Sequence, residues 1–289
     1  MPATRETAPP TRTSARPGHR AVAVALLAAG HPLPATAVTL LTAVLAAATG
    51  RGAAGCAVAA GAVALGQLSV GWCNDRADLR RDRLTGRPDK PLAVGAVRPA
   101  TVSAAAIVAL ALCVPLSLAS GRPAGTVHLC AVAAAWAYNL WLKRTVVSWL
   151  PYALAFGLLP AFVTLGLPGQ PWPPLWLAVA AALLGAGAHF ANVLPDIADD
   201  LATGVNGLPQ RLGARRSAVL AALLVLGSAA ALVLGPPGPV TPYRWVLLAL
   251  TAGVLLATGR GRGRVPFLGT ILVAAADVVL LLARGAGPL

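Results

Sequence analysis

Nine of the 289 residues are acidic; six of those nine fall in two short stretches, and a seventh, Asp89, closely follows the first. The first, NDRADLRRD, places Asp75, Asp78 and Asp82 at i, i+3 and i+7, with Asn74 one turn before Asp78. On a helix this spacing puts the three carboxylates on one face. The second, NVLPDIADD, carries Asp196, Asp199 and Asp200 at i, i+3 and i+4, with Asn192 one turn earlier. Like charges one turn apart repel, and a helix C-terminus adds partial negative charge, so each cluster requires a positive partner. Arg76, Arg80, Arg81 and Arg83 could supply it as salt bridges. A metal ion is the other solution. Oxygen-only donors from Asp and Asn, without His or Cys, suit Mg2+, which takes a few carboxylates and completes its shell with water and phosphate oxygens. Such an ion facing a diphosphate would neutralise the charge that develops as an allylic carbon–oxygen bond ionises, with Arg and Lys clamping the remaining oxygens. The chemistry implied is Mg2+-assisted departure of a diphosphate.

The elements that must hold these groups are membrane helices. The chain is 57% hydrophobic and 11% charged, with a mean hydropathy of +0.73, a composition outside the range of soluble domains. A net charge of +14 would suit nucleic acid only if the basic residues formed a solvated patch, and here they sit in short gaps between apolar runs. Nucleic acid is therefore not an expected partner. Cys56, Cys73, Cys113 and Cys130 lack paired spacing and read as small buried hydrophobes. Residues 1–20, rich in Pro, Thr and Arg, read as a disordered cytoplasmic tail, and 21–289 as one transmembrane domain.

A span needs about 20 mostly apolar residues. Nine candidates meet or approach that length, near 33–49, 53–72, 99–119, 124–142, 146–167, 174–194, 217–234, 243–258 and 266–284. Residues 21–30 are apolar as well, so the first helix is expected to begin earlier and bend near His31 and Pro32. With the N-terminus inside, 19 of the 23 basic residues face the cytoplasm, and only Arg51, Arg122, Arg244 and Arg284 face the other side. Losing or adding one span would move the later basic loops to the wrong face. The expectation is an all-α, multi-pass protein of the bacterial plasma membrane, with both aspartate segments at the cytoplasmic face.

The first stretch matches every fixed position of the NDxxDxxxD signature of the UbiA superfamily of intramembrane prenyltransferases, at Asn74, Asp75, Asp78 and Asp82. DIADDLATGVNGLPQRLG resembles that family's second aspartate motif, with Asp196, Asp199 and Asp200 followed by Gly204, Arg211 and Gly213. YNLWLKR resembles the segment between its helices 4 and 5, ending in Lys143 and Arg144. The resemblance implies nine transmembrane helices around a central cavity. It also implies two Mg2+ ions bridging a prenyl diphosphate, whose tail lies in the apolar cavity while a lipophilic acceptor attacks the allylic cation.

On that reading Asp75, Asp78, Asp196 and Asp200 are catalytic, and all six motif aspartates, including Asp82 and Asp199, are metal ligands. Asn74, Asn192, Lys143, Arg144 and Arg81 are the candidates for holding diphosphate. Asp89, in RPDKP, is expected to make a structural contact with Arg87 or Lys90 instead. Tyr138 and His189 could position an acceptor or take its proton, or simply pack. Asp277, alone in the last span, is either functional or a neutral structural group. A terpene cyclase shares the fold and the ionisation step. A transporter would need acids at the bilayer midplane, whereas these gather at one end. The acceptor is not readable from the sequence, and no obligate protein partner is expected.

Overall fold

The computed structural model describes residues 18–258 and, beyond them, 265, 268–269, 272–273 and 276. Among the described residues the secondary structure is helical and contains no strand. The chain starts with α1 (His19–Ala29) and α2 (Pro32–Ala48), bent by 64° at Gly30 and His31. His31 adopts φ +53°, a left-handed conformation that only the surrounding packing can hold for a side chain of this size. Pro32 follows it, starting α2 where a missing backbone N–H costs nothing.

The longest element, α3 (Ala53–Leu84), has 32 residues, or ~48 Å of rise. Next come α4 (Pro99–Leu118), α5 (Arg122–Leu140), α6 (Leu150–Thr164) and α7 (Leu175–Val193). The short α8 (Ile197–Ala202) and α9 (Leu208–Leu212) lead into α10 (Ala214–Leu234) and α11 (Pro242–Thr258). Eight of the nine expected spans coincide with these helices, and the ninth, 266–284 with Asp277, lies mostly outside the described residues. Four helices are individually long and apolar enough to cross a membrane, and the bent α1–α2 pair makes a fifth. The chain is an integral membrane protein.

Packing follows from the residue sizes. α3 lies against α2, α4 and α5, while α7 lies between α6 and α10. The interfaces are rich in Ala and Gly, as expected where lipid offers no hydrophobic drive and close backbone approach supplies the attraction. Large apolar side chains point outward instead, among them Val24, Leu40, Ile107, Leu112 and Leu223. Gly71 shows how tight the inner contacts are, because a Cβ there would lie 2.5 Å from the carbonyl oxygen of Gly30. That approach seats the α1–α2 bend on α3 one turn before Asp75. The cysteines divide: Cys73 and Cys113 are buried, Cys56 is half-buried, and Cys130 is exposed, so the expectation of four buried thiols fails at Cys130, which faces outward from α5.

Candidate active site

α3 runs on past the apolar segment through both charged turns, and its periodicity sorts them. Asp75, Asp78 and Asp82 are 1%, 4% and 2% exposed, while Arg76, Arg80 and Arg83 face outward. Each buried carboxylate recruits a cation. Lys90 Nζ and His31 Nε2 reach Asp75 Oδ1 at 2.6 and 2.8 Å. Asp78 Oδ1 accepts from Lys143, and its Oδ2 accepts from Arg81 at 2.9 Å and from Asn74 at 3.3 Å. Asn74 is itself fixed by Asn139, whose amide donates to the Val70 carbonyl. Asp82 has the weakest partner, with Arg81 Nε at 3.6 Å from Oδ1.

Arg81 also reaches the second motif, 119 residues away, by donating to Asp200 Oδ1 at 2.9 Å. One guanidinium therefore joins the two aspartate segments through its forked donors. The other oxygen of Asp200 accepts from Gln210 at 2.7 Å. Arg87 makes a second link, to Asp196 Oδ1 at 2.8 Å, and pairs with both oxygens of Asp89 at 3.0 Å. These bonds hold the Asp89 carboxyl down at about 2. Asp89 is thus the structural loop residue expected, with Arg87 as its partner.

The second motif does not continue α7 as a single helix. Pro195 lies in a tight 3-10 turn, Leu194–Asp196, before α8 begins. The turn shifts the register, so Asp200 is buried, Asp196 is half-buried and Asp199 is exposed. Asn192 and Arg144 are exposed as well. Lys143, in the 3-10 turn Leu142–Arg144, is 5% exposed, and burial pushes its amine below the usual lysine value against the pull of Asp78. Gly207 lets the second motif close over this turn, since a Cβ there would meet the Lys143 carbonyl oxygen at 2.6 Å.

Among the described residues no three His, Cys, Asp or Glu side chains converge as a ready metal cage. The basic side chains stand between the carboxylates instead. Asp75 Oδ2 and Asp82 Oδ1 nevertheless remain buried without a hydrogen-bond partner, a costly state for a charged oxygen. On the membrane side of the network Tyr138, Tyr152 and His189 pack ring against ring at 5.0–5.4 Å. His189 Nε2 lies 3.2 Å from Ser148 Oγ, which also accepts from the Leu208 backbone N–H.

The profile of the UbiA prenyltransferase family matches residues 21–264. The chain belongs to the UbiA prenyltransferase family. No curated protein matches its sequence. Among solved structures, this UbiA-family chain resembles a UbiA homolog from Archaeoglobus fulgidus bound to GPP and Mg2+, with a TM-score of 0.67 at 17% identity, over 90% of this chain and 98% of that one. It also resembles the apo UbiA homolog from Aeropyrum pernix K1, with a TM-score of 0.67 at 20% identity, over 91% and 98% of the two chains. A structure described for digeranylgeranylglyceryl phosphate synthase aligns with a TM-score of 0.63 at 16% identity, over 91% and 98%. At these identities the likeness establishes the fold.

The UbiA-family site contains residues that motif spacing alone does not reveal. His31 and Lys90 both serve Asp75, although one sits at a helix bend and the other in a loop. Gln210 serves Asp200 from α9. Lys90 had one visible signal, a lone cation between two prolines.

Proposed function

We propose that the chain is a Mg2+-dependent intramembrane prenyltransferase, moving a prenyl group from a prenyl diphosphate to a lipophilic acceptor with release of diphosphate. The observation that carries this reading is the Arg81 fork, which brings Asp78 and Asp200 of the two motifs onto one guanidinium. The oxygen-only donors and the two buried carboxylate oxygens without a hydrogen bond, Asp75 Oδ2 and Asp82 Oδ1, fit Mg2+. Asp75, Asp78, Asp82, Asp196 and Asp200 would hold it, with Asp199 available from the surface. When bound, Mg2+ neutralises the charge of the diphosphate.

The rest of the work falls to the chain. Lys143, Arg81 and Arg87 exchange carboxylates for diphosphate oxygens and draw off the negative charge as the allylic carbon–oxygen bond breaks, its electron pair leaving with diphosphate. Asn74 and Asn139 hold the first motif in register. The half-buried rings of Tyr138 and Tyr152 and the buried ring of His189 face the emerging cation away from water. The acceptor then forms the new bond to the allylic carbon and loses a proton.

The structures of GPP- and DMAPP-bound homologs support the substrate class. The basic-residue asymmetry supports a cytoplasmic placement of both aspartate segments. Mg2+-dependent pyrophosphate release from prenyl diphosphates in membranes holding the chain is the direct test. Asp75→Ala and Asp78→Ala should each abolish it, and full activity in either overturns the assignment. Cyclised hydrocarbon formed without any acceptor would reassign the chain as a terpene cyclase.

A further inference from the structure

A second polar site lies at the opposite end of the bundle. There the α2–α3, α4–α5 and α6–α7 connections surround an open groove of about 530 Å3, lined among others by Arg51, Gly52, Gly55, Ser120, Gly121 and Gly166. Ala53 and Asp75 are 22 residues apart on α3, ~33 Å of rise, so a bilayer core of about 30 Å separates this groove from the aspartates.

Four features of the groove favour an anion. Arg51 Nη1 is buried without a hydrogen-bond partner. Ser120 is 6% exposed, and its Oγ is likewise unpartnered. α3 and α5, helices of 32 and 19 residues, start at Gly52 and Gly121 with no side-chain cap, leaving first-turn N–H groups and the positive dipole ends at the rim. Finally, every acid among the described residues lies at the other end, so neither Arg51 nor the neighbouring exposed Arg122 has a carboxylate partner. The guanidinium is held in place by small neighbours, since a Cβ at Gly166 would stand 2.6 Å from Arg51 Nη1 and one at Gly55 2.8 Å from Nε. A planar donor fork, a hydroxyl and two helix N-termini together match tetrahedral phosphate oxygens.

We propose that this groove binds a phosphate oxyanion, carried on a lipid headgroup or free, at the membrane face remote from the aspartate segments. The site is separate from the prenyl diphosphate reading and is tested by binding rather than turnover. The purified, delipidated full chain is titrated with phosphatidylglycerol, phosphatidylcholine or inorganic phosphate and followed by native mass spectrometry and thermal unfolding. Wild type should bind phosphatidylglycerol or inorganic phosphate. Arg51→Gln should weaken that binding about tenfold or more, and Ser120→Ala should weaken it less while keeping the charge. The pair Arg215→Gln and Arg216→Gln, exposed at the opposite end, should leave it unchanged. A response to phosphatidylglycerol alone assigns the headgroup, and a response to inorganic phosphate as well assigns the phosphate group itself. Equal binding by wild type, Arg51→Gln and Ser120→Ala, or no binding of either probe by wild type, overturns the proposal.

Discussion

Arg81 is the residue on which the two motifs depend. Its removal leaves Asp78 Oδ2 and Asp200 Oδ1 short of a cation in a buried setting. Arg81→Ala should therefore destabilise the chain by roughly 1–3 kcal/mol, read as a lower unfolding temperature in detergent, with pyrophosphate release lost. Arg81→Lys keeps the charge but cannot bridge both carboxylates, and it should recover stability better than activity. The two carboxylate oxygens without a hydrogen bond, Asp75 Oδ2 and Asp82 Oδ1, predict a metal response that needs no turnover. Added Mg2+ should raise the unfolding temperature of wild type, and Asp82→Asn should reduce that rise.

At the scale of elements, what the sequence shows is what a single helix determines. The i, i+3, i+7 spacing places Asp75, Asp78 and Asp82 on one buried face because α3 continues unbroken to Leu84. The second motif has the same residue types, yet the Pro195 turn redirects them, leaving Asp199 outside and Asp200 inside. The roles of His31, Lys90 and Gln210 escape the motif spacing for a different reason, since these residues enter the site through tertiary contacts with no local period. Gly71 tests that long-range placement. Gly71→Ala would press a methyl group against the Gly30 carbonyl, costing about 1–3 kcal/mol of overpacking strain and moving His31 off Asp75. Thermal unfolding should show the loss, and a substitution to Ala at the open Gly253 should not.

For the whole molecule, the bundle is polarised. The described acids sit at one end with Lys143, Arg81, Arg87 and Lys90 among them, while Arg51 and Arg122 occupy the other with no acid nearby. If the basic asymmetry sets orientation, a single cysteine at Arg83 in a Cys-free background should react with impermeant thiol reagents only after cells are opened. One at Gly169, in the α6–α7 connection, should react in intact cells. The reverse pattern would invert the bundle.

The length of α3 adds a mechanical consequence. At ~48 Å it is longer than the oil is thick, so its last turns, which carry the three aspartates, emerge into the headgroups while its apolar part stays submerged. Acyl-chain length then acts as a ruler. Thin bilayers leave the ionic network fully wetted, and thick ones draw it toward hydrocarbon or force the helix upright. Reconstituted into lipids of graded chain length, the protein should release pyrophosphate fastest where the bilayer boundary falls near Gly71, and more slowly as the membrane thickens past Asp75.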